Sequence, residues 1–406
     1  MKRLFLLLVT TLAALTSASA ARPRNVANMH DVDLVYYGSR YRSIAWDEDW
    51  ARTHVAYTDS TGQTRYLFDT FLMLELHTGT GRFFEPAFRP THPRNEIGTT
   101  KADWVQIVDT LLQVPARNLD NALEEVAREI GRPKYKRQVV MFIPVPTEDQ
   151  TNWGELNGRA LDFHSTADRI EAFHWFIDMV RERFAQEKFK NLSLAGFYWL
   201  AEDKDSGLTM LPTLTAHIRS LGMKTIWIPY YNAAGAAEWR QMGFDAAYYQ
   251  PNYAFRQDIP EQRLFDAAET AKLLGMCIEL EVGGTQRWNV GHTRNYYAAG
   301  AVTGYMKDAA HMYYQEGMPG SYYRAYHSED PVLNSICRAG VRTFAHNAVD
   351  LYTDCPSRER AGWLCDSYFT AKTEYALTGK CVVEKNFLEN FLLPESFECL
   401  QIIVFD

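Results

Sequence analysis

Short apolar runs alternate with amphipathic segments along most of the chain. The runs are rich in β-branched or aromatic residues and are bounded by Gly, Pro, Asn or Asp, a pattern that predicts β-strands. Between the later runs, apolar side chains recur at helical spacing, as at Ile170, Phe173 and Ile177, which predicts helices over 168–188, 261–274 and 293–315. The predicted strands cover residues 34–38, 67–76, 139–145, 194–200, 225–231, 246–250, 276–282 and 321–326.

Strands separated by helices predict an α/β fold built from βαβ units with parallel pairing. The count of eight runs favours a (β/α)8 TIM-type barrel, in which the functional residues lie at the carboxyl ends of the strands. The first two runs are joined by a polar segment, 40–64, that indicates a loop or a hairpin rather than a helix. An open α/β sheet is the alternative.

The N-terminal segment indicates export. Lys2 and Arg3 precede an apolar run over 4–15, and small residues follow as far as Ala20. This arrangement is typical of a secretory signal peptide, so we expect cleavage near Ala20 and a secreted or periplasmic protein. No later run reaches the roughly 18 apolar residues of a membrane span, and no membrane insertion of the mature chain is expected. The predicted organisation is a signal peptide over 1–20, a barrel domain over 31–330 and a short Cys-containing C-terminal extension over 331–406, which the sequence leaves unassigned.

The 6 cysteines are unevenly placed along the chain. Cys277 lies in the seventh apolar run and is expected to be a small buried hydrophobe. The others lie in the C-terminal part of the chain without the spacing of a zinc site, so we expect disulfides there and neither a metal nor a cofactor. The local pairs that the sequence allows, among other connectivities, are Cys355 with Cys365 and Cys381 with Cys399.

The composition narrows the class of partner. Aromatic residues make up 14% of the chain, and aromatic rings are the groups on which sugar rings stack in binding clefts. The formal net charge of −8 argues against nucleic acid or an anionic membrane as the main partner. We therefore expect a carbohydrate substrate, while the oligomeric state is not indicated.

Acidic residues stand out at two of the predicted strand ends. Glu202 follows the fourth run, and Glu279 and Glu281 lie inside the seventh. An ionised carboxylate in an apolar strand is costly to bury unless it is paired or functional. Because side chains alternate along a strand, Glu279 and Glu281 share one face, which is expected to be the barrel interior.

Opposed carboxyl groups are the minimal equipment for cleaving a glycosidic bond. Glu202 would be the general acid, with a pKa raised by its aromatic neighbours Tyr198 and Trp199 and by the opposing carboxylate. Glu281 would be the nucleophile, and Glu279 would contact substrate or form a buried ion pair. A separation of about 5–5.5 Å between the two carboxyl groups predicts retention of anomeric configuration, and a wider gap predicts inversion.

Three segments carry a resemblance to a known family. The patterns over 68–72, over 196–199 with Glu202, and over 250–253 resemble a family of secreted bacterial proteins classed as a domain of unknown function, across residues 31–330. Glu at the ends of strands four and seven also resembles the large barrel clan of retaining glycoside hydrolases. That resemblance implies a barrel and a retaining mechanism, although Ala201 stands where clan members usually have Asn.

Further polar and aromatic residues near the predicted strand ends suit a saccharide site. Trp153, in the polar loop 148–163, is predicted to be an exposed stacking platform. Two alternatives stay open: a non-catalytic carbohydrate-binding barrel that uses the same cleft, and a hydrolase of another chemistry with Asp69 and His77 in its site. The predicted substrate-binding residues are Asp69, Glu75, Trp153, Tyr198, Tyr230, Asn232, Gln250, Asn252, Tyr253, Glu279 and Tyr323.

Overall fold

A computed structural model describes residues 29–38, 46–59, 61–85, 91–203, 210–283 and 287–315, together with 340, 343–344, 347–348, 352, 364–378 and 382–389. The chain divides into two compact units, Met1–Glu316 and Gly317–Asp406. Each unit is described by itself below.

The first unit is a closed parallel β-barrel of eight strands. The barrel strands, in chain order, are β1 (Asp31–Tyr36), β4 (Thr70–Leu74), β5 (Arg137–Ile143), β8 (Leu192–Trp199), β9 (Lys224–Trp227), β10 (Ala246–Tyr249), β11 (Cys277–Val282) and β12 (His311–Gln315). β1 pairs with both β4 and β12, so the sheet has no open edge and the predicted (β/α)8 fold is confirmed over the alternative of an open sheet. Two antiparallel hairpins lie outside the barrel sheet: β2 (Ala56–Thr58) with β3 (Thr64–Tyr66), and β6 (Glu155–Leu156) with β7 (Arg159–Ala160).

Helices connect most successive barrel strands. They are α1 (Glu48–Val55), α2 (Arg94–Ile97), α3 (Lys101–Leu111), α4 (Arg117–Ile130), α5 (Thr166–Glu187), α6 (Leu211–Ser220), α7 (Gln262–Leu274), α8 (Arg287–Thr303) and α9 (Tyr305–Asp308). Between β9 and β10 the chain forms only a short 3-10 helix, Ala236–Glu238. Several helices begin at a side-chain cap: Ser165 accepts the backbone N–H of Asp168 at the start of α5, and Thr100 forms a reciprocal capping box with Asp103 at the start of α3. The predicted helices over 168–188 and 261–274 are confirmed as α5 and α7.

The strand register determines which side chains face the barrel interior. Residues paired on neighbouring parallel strands project to the same side of a sheet, and this pairing can be followed around the whole barrel. Tyr198 on β8 and Glu279 on β11 influence each other electrostatically although β9 and β10 separate their strands, so this side is the interior. The interior side chains include Val32, Tyr36, Leu72, Val140, Phe142, Tyr198, Ile226, Tyr248, Glu279, Glu281, Met312 and Tyr314.

The eighth strand differs from the prediction. The segment 293–315 was expected to be one helix, but α8 ends at Thr303, and Gly304, with a φ of +89°, lets the chain turn before α9 and β12. β12 therefore closes the barrel between β11 and β1. The predicted strand over 321–326 lies outside the described residues.

The segment between the first two barrel strands was predicted to be a loop or a hairpin. The hairpin is confirmed as β2 and β3, but the prediction missed α1, which Asp47 caps by accepting the N–H of Trp50. His54 of α1 forms a buried contact of 2.6 Å with Asp33 on the outer face of β1. This polar contact ties the helix to the barrel wall.

The second unit contributes two described helices, α10 (Leu364–Thr378) and α11 (Val382–Glu389). Glu374 of α10 accepts the backbone N–H groups of Val383 and Glu384, each at 2.9 Å, and so caps the start of α11. Cys277 in the first unit is buried, as expected. The side chains of the predicted disulfides lie outside the described part of the chain. Within the described helices, none combines the length and the apolar content that a membrane span requires.

Candidate active site

Glu202, Glu279 and Glu281 come together at the carboxyl end of the barrel. Glu279 and Glu281 project inward from β11 and are only 2% and 1% exposed. Glu202 follows β8, and its charge contributes to raising the pKa of both other acids. Burial, and then the charges of Glu202 and Glu279, raise the pKa of the interior residue Tyr198. Glu202 and Glu281, predicted from strands four and seven, thus lie near enough for one charge to influence the other acid.

Glu202 is held by a relay of amide groups. Gln250 donates from Nε2 to Glu202 Oε1 at 2.9 Å, and Asn252 donates from Nδ2 to Gln250 Oε1 at 3.0 Å. The backbone N–H of Tyr231 completes the relay by donating to Asn252 Oδ1 at 2.9 Å. Burial raises the pKa of Glu202 to about 7; the Gln250 hydrogen bond opposes this shift and the charge of Asp203 adds to it. Glu202 is therefore placed to hold a proton near neutral pH.

Glu281 has two unequal carboxylate oxygens. Its Oε2 accepts the backbone N–H of Tyr253 at 3.2 Å and the hydroxyl of Tyr296. Its Oε1 is buried and has no hydrogen-bond partner within the described part of the chain. Burial raises the pKa of Glu281 to about 7 against the opposing effect of these donors, and the charge of Glu202 raises it further.

Glu279 is the most strongly perturbed of the three acids. Burial, then the charges of Glu281 and Glu202, raise its pKa well above its usual range, and no hydrogen bond counters the shift. The sequence left open a buried ion pair for Glu279. Among the described residues its charged neighbours are acids and no ion pair with it is formed, so the ion pair stays a prediction.

Helix α8 supports the loop that carries Tyr253. The Tyr253 ring stacks on His292, with centroids 4.0 Å apart, and its hydroxyl accepts Asn295 Nδ2 at 2.8 Å. His292 Nδ1 also lies 2.9 Å from the Tyr253 carbonyl oxygen. Sequence reasoning missed His292, Asn295 and Tyr296, although their i, i+3, i+4 spacing places them on one face of the helix.

Two further predicted residues lie in the segment that follows the fifth strand, β9. The hydroxyl of Tyr230 lies 3.5 Å from Oδ2 of Asp203, the neighbour of Glu202 in the chain. Asn232 is exposed, adopts a φ of +63°, and donates its backbone N–H to the hydroxyl of Tyr249 at 2.8 Å. Of the two, only Tyr230 therefore has a contact within the described chain that links it to the acids.

Trp153 is not the exposed platform that the sequence predicted. It is 1% exposed and packs edge-on against Trp104 and Trp175, with a tilted contact to Phe163. The polar loop around it folds back onto α3, where Lys101 donates its backbone N–H to the Trp153 carbonyl oxygen at 2.7 Å. The prediction failed because loop polarity does not report where a single large apolar ring is buried.

Asp69 and Glu75 lie at opposite ends of β4. Asp69 precedes the strand and accepts the backbone N–H of His30 at the amino end of the barrel, away from the three acids. Glu75 follows the strand, is fully buried, and accepts the N–H groups of the next two residues at 2.8 and 3.1 Å. The alternative site with Asp69 and His77 is therefore not formed, because β4 separates these residues. Tyr323 lies outside the described residues.

A cleft of about 380 Å³ opens beside the first two barrel strands, also at their carboxyl ends. Tyr37, His77 and Phe84 contribute rings to its wall, while Asp103 and Gln106 of α3 contribute polar groups. Rings mixed with carboxylate and amide groups are the components of a saccharide-binding surface. No cluster of three or more metal-binding side chains is present within the described ranges.

Residues 31–338 match the family model described as Domain of unknown function (DUF4855). This match spans more than half of the chain. The chain belongs to this family. The matched segment of this DUF4855 member begins at β1 and includes all eight barrel strands, so the predicted resemblance to a family of unknown function is confirmed. The resemblance to the glycoside hydrolase clan stays a prediction.

Other likenesses are shorter or more remote. Residues 324–393 match a model described as a bacterial alpha-L-rhamnosidase 6 hairpin glycosidase domain. A mutant tryptophan synthase α-subunit from Pyrococcus furiosus is 11% identical, with a TM-score of 0.36 over 86% of this chain and 98% of that chain. D-psicose 3-epimerase in the presence of D-fructose is 13% identical, with a TM-score of 0.31 over 77% and 98%. No curated protein matches the sequence.

Proposed function

We propose that the protein is an exported glycoside hydrolase that cleaves an oligo- or polysaccharide with Glu202 and Glu281. The observation that carries this proposal is the pair of inward carboxyl groups from strands four and seven, each with its pKa raised to about 7. Catalytic carboxyl groups need such values, since one must give a proton and the other must stay ionised near neutral pH. The match of residues 324–393 to a glycosidase domain supports the same class of reaction.

The unequal surroundings of the two acids support different roles for them. Tyr253 N–H and the Tyr296 hydroxyl stabilise the ionised form of Glu281 and leave Oε1 as the attacking atom. Glu202 has a single amide donor and an acidic neighbour, Asp203, which favours its protonated form. In the proposed retaining reaction, Oε1 bonds to the anomeric carbon as the glycosidic bond breaks, and the leaving oxygen takes the Glu202 proton. Water then enters with Glu202 as base and releases Glu281.

The test is a polysaccharide and oligosaccharide digestion screen with the wild-type protein and matched variants. Glu202→Gln and Glu281→Gln should each lower kcat by about 10²–10⁴-fold, the contribution typical of a positioned acid or base. Glu269→Gln, on the exposed face of α7, is the control and should retain activity. Undiminished cleavage by both active-site variants would exclude this mechanism. Glycan binding without cleavage of any glycan would instead support a carbohydrate-binding barrel.

Export is part of the proposal and rests on the N-terminal residues alone. Lys2 and Arg3, the following apolar run and Ala18-Ser19-Ala20 support cleavage after Ala20. The mass of the protein recovered from a secreting bacterial host should equal that of residues 21–406. Recovery of the full-length chain in the cytoplasm would contradict export.

A further inference from the structure

Two interior carboxyl groups have few donors around them. Glu281 Oε1 is buried and accepts no hydrogen bond within the described chain, and no hydrogen bond lowers the pKa of Glu279, which is only 2% exposed. Buried acceptors without donors are costly, and proteins rarely leave them so. Both acids project from one face of β11 into the barrel, toward Glu202. A bound molecule that supplies donors would satisfy them.

The charges around these oxygens specify the kind of donor. Among the described residues, the charged groups that influence Glu202, Glu279 and Glu281 are themselves carboxyl groups. Glu85 adds a further acid beside Tyr198. Two protein donors in this cluster are already engaged, since the Tyr296 hydroxyl donates to Glu281 and the Gln250 amide donates to Glu202. The site therefore offers acceptors and negative charge to its ligand.

We propose that the sugar unit bound at Glu279 and Glu281 carries an amino group that is not acetylated, so that the substrate is a cationic amino-sugar glycan. The inference rests on the proposed function and names the substrate class of the same site. A protonated amine brings three N–H donors and a positive charge, which matches several acceptor oxygens on neighbouring acids. An N-acetyl group removes the charge and leaves one N–H, and a hydroxyl offers one donor without charge.

The role of Glu279 follows from this assignment. It lies one layer deeper in the barrel than Glu281, where it can hold the amine while Glu281 Oε1 faces the anomeric carbon. The amine in turn stabilises the ionised carboxylates, so its binding releases protons from the cluster. The preference for amino sugars should therefore weaken in acid, when the carboxyl groups are protonated before the ligand arrives.

The experiment compares binding by calorimetry of D-glucosamine and D-galactosamine with that of their N-acetylated forms and the corresponding hexoses. At pH 7 the full-length protein should bind an amino sugar at least about tenfold more tightly than its two counterparts, and this ratio should shrink at pH 5. Glu279→Gln should bring the ratio close to one. Glu269→Gln should keep the wild-type ratio, because Glu269 lies on the exposed face of α7.

Equal or tighter binding of the neutral or acetylated sugar to the wild-type protein overturns the inference, whether or not Glu279→Gln folds. Absence of binding of every sugar overturns it as well. If the protein fails either binding test but cleaves neutral glycans, the amino-sugar inference is overturned and the hydrolase proposal is still supported. Preferential binding of amino sugars without cleavage of any amino-sugar glycan upholds the cationic site and overturns the hydrolase proposal.

Discussion

The two ends of the barrel surround their acids differently. At the amino end, the half-buried Asp31 accepts the Tyr313 hydroxyl at 3.0 Å and lies 3.8 Å from the His311 ring. Burial alone would raise the pKa of Asp31, but the nearby His311 and the Tyr313 hydroxyl outweigh it and the pKa is lowered. Asp69 has partners too, in the backbone N–H of His30 and the Thr70 hydroxyl at 2.7 Å, although burial still raises its pKa.

At the carboxyl end the acids have acidic neighbours. Burial is the main cause that raises the pKa of all three; the charge of Asp203 adds to it at Glu202, that of Glu202 at Glu281, and those of both Glu281 and Glu202 at Glu279. Glu281 Oε1 has no donor within the described residues. An arrangement that is costly for folding and centred on a strand end of a TIM barrel is typical of a functional site. We propose that acids at the amino end support the fold, whereas those at the carboxyl end serve chemistry.

The largest expected effect is on kcat, and it should distinguish a substitution at the carboxyl end from one at the amino end. Glu281→Gln should lower kcat about 10³-fold without loss of stability, because the neutral amide removes the ionised atom that the reaction requires. Asp31→Asn should leave kcat within about twofold, since it lies outside the site, and should lower Tm by about 2 °C through weakened hydrogen bonds. Initial rates and thermal melts of both variants measure this. A large loss of kcat in Asp31→Asn would contradict the proposal that acids at the amino end take no part in the reaction.

A smaller effect is expected at Tyr296, which donates to Glu281. Tyr296→Phe removes a hydrogen bond to the ionised form, so the pKa of Glu281 should rise and kcat/KM should fall about tenfold at pH 6. The acidic limb of the pH profile should move to higher pH. Tyr297→Phe is the matched control, because Tyr297 is 49% exposed on the same helix. Identical pH profiles for the two variants would show that the Tyr296 hydroxyl does not influence the pKa of Glu281.

The pH dependence of activity sharpens the assignment of roles. Glu202 must be protonated, so activity should fall as the pH rises above about 7, and Glu281 must be ionised, so activity should fall as the pH drops below about 7. The Gln250 hydrogen bond lowers the pKa of Glu202, so Gln250→Leu should move the basic limb upward by a fraction of a pH unit. Gln262→Leu, at an exposed position of α7, should leave the basic limb unchanged. A basic limb that stays in place in Gln250→Leu would contradict the acid role of Glu202.

The smallest expected effect is on stability, and it has opposite signs at the two ends. The pKa of Glu279 is raised in the folded protein, so the native state binds the extra proton and stability falls as the pH rises above the unfolded value. Glu279→Gln should therefore raise Tm by a few degrees at pH 8, at roughly 2–4 °C per kcal/mol, and by less at pH 5. The pKa of Asp31 is lowered, so its contribution is present above its unfolded pKa and is lost as the pH falls. Asp31→Asn should thus destabilise at pH 7 and have little effect near pH 3, and the same sign in both variants would contradict this difference.

Much of the barrel was predictable because most of its strands are apolar runs with clear boundaries. Alternation along β11 also predicted that Glu279 and Glu281 share the interior face, which the register confirms. β12 was not predicted because His311–Gln315 is short, aromatic and polar. Its identity as a strand depends on pairing with β1 and β11.

The candidate site was predictable only in part. Glu202 and Gln250 follow predicted strands, so the carboxyl-end rule of barrels located them. Asp69 was placed on the wrong end because the face of a strand is readable from alternation, whereas the strand's exact bounds decide which end a residue occupies. Tyr296 acts from a helix, through a contact that only tertiary packing creates.

Azide rescue of Glu281→Ala on an activated aryl glycoside tests whether Glu281 is the nucleophile of a retaining glycoside hydrolase. We predict that the variant is inactive alone and that azide restores release of the aryl group. The product should be a glycosyl azide of inverted anomeric configuration, because azide attacks from the side that Glu281 vacated. Activity of Glu281→Ala without azide, or rescue that occurs only in Glu202→Ala, would contradict it.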